Sequence, residues 1–230
     1  MDYIIKKFDT VSSTNDIAKT EAEKGAAEGT VIIADAQENG RGRLGRSFLS
    51  PNGGLYMSVV LRPKSFEDAV SVTTRAAVAA ALAIEKYTKE KADIKWVNDI
   101  YKNGKKVCGI LAESVFDVDK PKYVILGIGV NLKAVPQKVA DIAGCIGDVD
   151  RDGLVKTILD EFFVGSWNCF EEYSKRDMLK GKEVLGGRAG GMPQMVFEFI
   201  LKKNSIDPKT DLSIDQSIDF GSTAAAFSGG

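Results

Sequence analysis

The sequence predicts an α+β fold, a mixed or antiparallel sheet with helices mainly on one face, followed by a small C-terminal β segment. Three observations carry that reading. Short apolar strands are interleaved with only two or three helices, so there is no regular β-α-β alternation. Two antiparallel hairpin signals are present, of which Asn103-Gly104 is the sharper. After Lys182 the texture changes to glycine-rich links with a low-complexity end.

Taken in order, Tyr3–Phe8 reads as a strand. Ser13-Thr14-Asn15-Asp16 has the form of a capping box, with Ser13 as N-cap and Asp16 three residues on, opening a helix that ends near Gly25. Val31–Ala34 is a buried strand and Leu55–Leu61 another, closed by Arg62-Pro63. Between them runs a charged, glycine-rich loop from Gln37 to Gly54, too long for a simple connection. Ser65 to about Lys91 is a long helix whose middle is rich in alanine, as close packing onto a sheet requires. Ile94–Val97 is a short strand running into Asn98-Asp99. The Asn103-Gly104 turn leads into a strand over Val107–Ser114, and Tyr123–Leu132 is a further strand with glycines at 127 and 129. Asp152 is placed to cap a helix over Leu154–Tyr173, with Leu154, Ile158, Phe162 and Trp167 as its stripe. Residues 1–183 form one domain, and 184–230 form a small second one with a strand over Val196–Leu201.

Composition removes whole classes of function. The 230 residues contain no histidine, which excludes Ser-His-Asp hydrolysis, Cys-His proteolysis and histidine-ligated zinc. The formal net charge is −1, unsuited to a broadly basic nucleic-acid surface. Cys108, Cys145 and Cys169 are odd in number and never form C-x-x-C, which fits a reducing, cytoplasmic setting. No apolar run approaches the ~20 residues that span a bilayer, and no signal peptide precedes the first strand.

The densest chemical signal is Gly40-Arg41-Gly42-Arg43-Leu44-Gly45-Arg46. Glycine lets the backbone approach an anion, and each guanidinium offers paired donors to carboxylate or phosphate. The G-x-G-x-x-G spacing is not a dinucleotide fingerprint, because Pro51, Gly53 and Gly54 follow where a helix would have to begin. Taken alone, the loop reads as a solvated segment or an RNA contact. Lys95-Trp96-Val97-Asn98-Asp99 groups a cation, an amide and a carboxylate at a strand end, or it is an Asn-Asp turn. Strand alternation puts Lys106 on the face of Cys108, and Lys106 also reads as a charged edge residue.

In combination, Ser13-Thr14-Asn15, Gln37-x-x-Gly40-Arg41-Gly42-Arg43-x-Gly45-Arg46, Lys95-Trp96-x-Asn98-Asp99, Lys106-x-x-Gly109-Ile110-Leu111 and Gly127-Ile128-Gly129-Val130-Asn131 resemble the catalytic domain of biotin protein ligases over residues from about 3 to 183. The resemblance implies the biotin/lipoyl ligase-like fold and a two-step reaction. Biotin's carboxylate attacks the α-phosphate of ATP to give biotinyl-5′-AMP and pyrophosphate. A lysine of a biotin carboxyl carrier domain then takes the biotinyl group and releases AMP. Two anions must meet, so neutralisation and positioning matter more than imidazole chemistry.

By the same resemblance Arg43 and Lys106 are the catalytic pair, bridging biotin's carboxylate and the α-phosphate. Ser13, Thr14 and Gln37 bond the ureido ring and neighbouring biotin groups, while Gly40, Arg41, Gly109 and Gly127 line the biotin slot. Arg46 and Lys95 serve the phosphates, Phe48 covers the adenine where relatives often carry tryptophan, and Asn131 contacts the nucleotide. Asn98 and Asp99 shape the nucleotide and metal region. Mg²⁺ is expected with ATP, although the sequence identifies no metal ligands. Relatives of this type often pair, which implies a homodimer that the sequence does not itself show. No DNA-binding helix-turn-helix precedes residue 1, so the repressor role of some relatives is not expected. Val97 stands where proline is common, and the tail past Glu183 departs from the small barrel of relatives. A lipoate–protein ligase and a non-catalytic RNA-binding module are the competing readings.

Overall fold

The structure is a computed structural model that describes residues 3–118 and 120–180, together with the backbone of 183–184 and 187–188. Its centre is a seven-stranded mixed sheet built from β1 (Ile4–Val11), β2 (Thr30–Gln37), β3 (Leu55–Leu61), β4 (Asp93–Lys95), β5 (Asp99–Lys102), β6 (Lys105–Asp117) and β7 (Lys120–Val130). The spatial order is β1-β2-β3-β7-β6-β5-β4. β1 and β2 are parallel, and the other neighbours are antiparallel. The expected α+β class is therefore what the chain forms.

Alternation along the strands sorts the two faces. Val31, Ile33, Val59, Leu61 and Leu126 point to the side covered by α2 (Phe66–Thr88), α3 (Arg151–Val164) and α4 (Cys169–Arg176). Ile32, Val60, Tyr123 and Ile125 point the other way, against Ala18 and Ala22 of α1 (Thr14–Glu23). The alanines of α2 from Ala76 to Ala81 are fully buried, and their small side chains let the helix lie close to the sheet. Ser65 accepts the Asp68 N–H at 3.0 Å, and Glu67 and Asp68 stand at the positive end of the helix.

The Asn103-Gly104 turn joins β5 to β6 with both residues at positive φ, 51° and 75°, the geometry that suits the twist of a tight hairpin. Two expectations are corrected. Ser13 occupies the N-cap of α1 but makes no side-chain cap bond, and Asp16 is taken instead by Arg41. The single helix expected over Leu154–Tyr173 is two helices. α3 is preceded by Asp150 and ends at Val164, and Asn168 caps α4 by accepting the Glu171 N–H. Trp167 turns back between them and donates its indole N–H to Glu161 at 3.0 Å. Only glycine allows that return, because a Cβ on Gly165 would lie 2.2 Å from Trp167 Nε1. β8 (Glu183–Val184) and β9 (Gly187–Arg188) pair antiparallel. The strand expected over Val196–Leu201 lies outside the described residues.

Candidate active site

Glycine clears the α1 side of the sheet. Gly109 stands opposite Gly129 on β6 and β7, and Ser58 of β3 stands opposite Gly127. With those side chains absent, a cavity of about 330 Å³ opens over the sheet. The missing atoms are needed as space. A Cβ on Gly127 would lie 2.4 Å from Asn15 Oδ1, and one on Gly129 would lie 2.6 Å from the Phe48 ring.

The roof is the Gly-Arg segment, folded as a hairpin. Gln37 bridges Ser50 and Arg41 bridges Ser47 across it. The Phe48 N–H donates to Gly40 O at 2.8 Å, and the Gly42 N–H donates to Arg46 O at 2.7 Å. The tip turns at Leu44 and Gly45, both at positive φ. A single 3-10 turn spans Arg43–Gly45, and no α-helix follows before β3, as expected from Pro51 and the glycines beyond it. Phe48 drops from this flap onto Gly109 and Gly129, with its ring edge-on to Tyr56 at 6.4 Å.

One end of the cavity is a cluster of amides and hydroxyls, bordered by the Glu113 carboxylate, to which Asn15 Nδ2 donates. The Thr14 N–H and hydroxyl both donate to Gln37 Oε1, at 2.9 and 3.0 Å. Ser58 Oγ lies 2.7 Å from Thr14 Oγ1 and 2.6 Å from Asn15 Oδ1. Ser13 lines the same end. Gly40 is not on the wall. It lies within the flap hairpin, where a Cβ would stand 2.4 Å from both Phe48 O and Ser50 Oγ.

The other end is cationic. Arg43 reaches Asn98 Oδ1 at 3.3 Å, and Asn98 is itself pinned to β6 by donating to Ile110 O at 2.8 Å. Arg46 lines the wall and has no side-chain partner among the described residues. Lys95 stands over the Tyr101 ring at 5.7 Å, and Lys106 over the Phe48 ring at the same distance. Lys106 Nζ forms an ion pair with Asp99 Oδ1 at 2.7 Å, and no hydrogen bond reaches that buried oxygen. Arg41 differs from the other guanidiniums. It lines the cavity but is held by Asp16 at 2.6 Å and Glu113 at 3.6 Å.

The expected face of Lys106 is corrected. The β5–β6 register slips between Ile100 and Tyr101, so Ile100 pairs with Cys108 and Tyr101 with Lys106. Val107 is the extra residue of a β-bulge. Cys108 consequently points into the helical core, where burial pushes its thiol up to about 12, while Lys106 joins Gly109 on the cavity side.

A second cavity of about 220 Å³ adjoins the first, and Phe48, Tyr56 and Lys106 stand on the boundary. Asn131 lines this one rather than the first. Its side chain donates to Gly144 O at 2.9 Å, and its N–H donates to Val107 O at 2.8 Å. α4 and the residue after it brace β4, which carries Lys95 and leads into Trp96. Asp177 bridges Ile94 at the sheet edge, and Trp96 packs edge-on against Tyr173 at 5.6 Å.

The sequence reading quoted Asn15 in a motif but gave it no site role, and it missed Ser50, Ser58, Tyr56, Asp16 and Glu113 as site residues. Ser58 alone carried a local signal, a hydroxyl in an otherwise apolar strand.

A model of the biotin/lipoate A/B protein ligase family matches residues 7–131, a span holding the flap, the glycine floor and both cation-bearing strands. The chain belongs to this family. Among curated members of the ligase family, the bifunctional ligase/repressor BirA of Bacillus subtilis is 38% identical over 184 residues, covering 75% of this chain and 54% of that protein. The biotin–[acetyl-CoA-carboxylase] ligase of Paracoccus denitrificans is 36% identical over 125 residues, covering 53% and 52%. The chain spans about half the length of these curated relatives. Among solved ligase structures, the biotin protein ligase from Aquifex aeolicus in complex with biotin and ATP superposes with a TM-score of 0.68 at 30% identity, covering 78% of this chain and 81% of that one.

Proposed function

We propose that the chain is an ATP-dependent biotin–protein ligase, forming biotinyl-5′-AMP and passing biotin to a lysine of a biotin carboxyl carrier domain. One observation carries the reading. A single cavity has an amide-and-hydroxyl end at Thr14 and Gln37 and a cationic end at Arg43, Arg46 and Lys106, so it matches a ligand with a polar neutral head and a carboxylate tail. The Aquifex aeolicus relative, whose structure holds biotin and ATP, and the Paracoccus denitrificans ligase support it.

The ureido ring binds at Thr14 and Gln37, with Ser13 beside them, while Gly109 and Gly127 admit the bicycle close to the sheet. The carboxylate then lies between Arg43 and Lys106. Its oxygen attacks the α-phosphorus, the bond to the β-phosphate oxygen breaks, and pyrophosphate leaves. Arg43 and Lys106 hold the two anions together and neutralise charge gathering on the phosphoryl oxygens, the kind of stabilisation that is worth about 2.7–4 kcal/mol per donor. Arg46 and Lys95 receive the remaining phosphates. Phe48 and Asn131 border the second cavity, which takes the adenine. In the second step the carrier lysine's amine attacks the acyl carbon, AMP leaves, and the amine's proton passes to solvent.

No cluster of three or more carboxylate, cysteine or histidine side chains among the described residues could hold a metal. Magnesium arrives on the ATP phosphates and keeps mostly water as ligands, with Asp99 and Asn98 nearby. Cytoplasmic residence and pairing of two copies belong to the same proposal. Among the described residues no helix is long and apolar enough to cross a membrane.

The test is incubation with ATP, biotin and a purified carrier domain, read by mass spectrometry for the mass added by one biotinyl group. Parallel calorimetry with biotin and with lipoate separates the two branches of the family, and binding of lipoate alone would overturn the biotin assignment. Steeply salt-dependent RNA retention on a filter, without biotin binding, would favour the RNA-binding reading instead.

A further inference from the structure

We propose that Ser50 is a positioning residue that ties the Gln37 amide to the flap, so that a ligand held at Gln37 also fixes the seat of Phe48. This rests on the functional reading above. Ser50 is 5% exposed, directly before Pro51. Its hydroxyl donates to Phe48 O at 2.9 Å and accepts from Gln37 Nε2 at 2.8 Å. The Gln37 N–H also donates to Ser50 O at 3.0 Å, so Ser50 holds Gln37 by main chain and side chain together.

The hydroxyl has one proton. With that proton on Phe48 O, Ser50 can only accept from Gln37, and this decides which end of the amide faces which way. The amide nitrogen faces the flap, and the oxygen faces Thr14, whose N–H and hydroxyl it accepts. A local turn motif would satisfy a carbonyl two residues back and stop there. Here the same hydroxyl reaches a residue on another strand, at the polar end of the cavity. The Phe48 carbonyl is fixed at one side by Ser50, while its N–H is fixed by Gly40. Its ring meanwhile rests on Gly109 and Gly129, 5.7 Å from Lys106 Nζ. Gly40 closes the relay, since any side chain there would displace both Phe48 O and Ser50 Oγ.

The relay therefore runs from the polar end of the cavity to the wall that divides it from the second cavity. A ligand packed against the Thr14–Gln37 pair, or taking over the Thr14 hydroxyl's place on Gln37 Oε1, stiffens the amide, and the amide passes that order through Ser50 to the flap's main chain. Ser50 touches no substrate in this scheme and acts only through Gln37 and Phe48.

The experiment compares the full chain with Ser50→Ala and with Ser50→Cys, which is close in size and poor in hydrogen bonding and serves if alanine disturbs folding. Trypsin cleavage after Arg41, Arg43 and Arg46 reports on the flap, with and without saturating biotin, and calorimetry reports affinity. In the wild-type chain biotin slows flap cleavage. In the variants biotin still binds, about ten-fold more weakly, as loss of a buried hydrogen bond gives. At saturation their flaps are cleaved at the ligand-free rate. Wild-type protection by biotin in both variants would overturn the coupling. If the wild-type chain itself binds no biotin, the functional reading fails, and this inference fails with it.

Discussion

Lys106 places its ammonium 2.7 Å from Asp99 Oδ1, across the neighbouring strands β6 and β5. The contact exists because Val107 bulges out of β6 and turns Lys106 to the cavity side. Asp99 thus holds a cation at the place where the proposed reaction brings two anions together.

Substituting either cation therefore costs activity, but with different effects on the fold. Lys106→Ala and Arg43→Ala each slow biotin-dependent ATP–pyrophosphate exchange by about 10²–10³-fold, the loss typical of one donor to developing charge. Lys106→Ala also leaves the buried Asp99 oxygen without its cation, at about 1–3 kcal/mol of stability. Arg43 is surface-exposed on the flap, and its loss changes stability by less than about 0.5 kcal/mol. Exchange kinetics with thermal melts decide both points, and near-normal exchange in both variants would refute the assignment.

The glycine floor can be dissected by alanine. Gly129→Ala drives its Cβ into the Phe48 ring at 2.6 Å, and a ring at the end of a side chain on a flap can move away. We expect the KM for ATP to rise about ten-fold with biotin affinity nearly kept, a cost near 1.4 kcal/mol. Gly127→Ala meets Asn15 Oδ1 at 2.4 Å instead, at the polar end. Biotin affinity falls there first. Steady-state kinetics varying one substrate at a time tests the split, and a reversed pattern would misplace the two subsites.

Arg176 anchors the last described helix. It is nearly buried, bonded to Glu85 at 2.6 Å and to Glu172 at 2.5 Å. Arg176→Met leaves Glu85 without its cation and Glu172 with Lys175 alone, and we expect a loss of about 3 kcal/mol in urea unfolding. The hydrogen bonds from Lys175 and Arg176 hold the Glu172 carboxyl below its usual range. Its stabilisation is complete above the ordinary glutamate range and is lost as pH falls through the lowered value, so the wild-type advantage over the variant shrinks in acid.

Alkali destabilises the fold through its tyrosines. Burial pushes Tyr3, Tyr56 and Tyr123 up to about 12, with hydrogen bonds to Asp160 and Glu23 adding to the shifts of Tyr3 and Tyr123. Unfolded tyrosine ionises near 10. Between roughly pH 10 and 12 the unfolded chain sheds protons that the folded one keeps, so stability falls as pH rises through that window. The urea midpoint at pH 8 and pH 11, read beside tyrosinate absorbance, measures it. An unchanged midpoint would contradict the burial of these three phenols.

Features that depend on neighbours in the chain were legible in the sequence. Positive φ at Asn103 and Gly104, the Ser65 cap of α2 and the apolar run of β3 follow from backbone sterics and local hydrogen bonds. The motif residues were legible as chemistry too, since cations spaced by glycines suit an anion wherever the loop lies. Tertiary structure decided which of them work together. The bulge at Val107 reversed the face expected for Lys106, Asp16 and Glu113 took Arg41, and Ser50 and Ser58 joined a network from separate strands. Register, bulges and partners are set by contacts between residues remote in sequence. The energy of those contacts appears only when the sheet closes, and no local pattern encodes it.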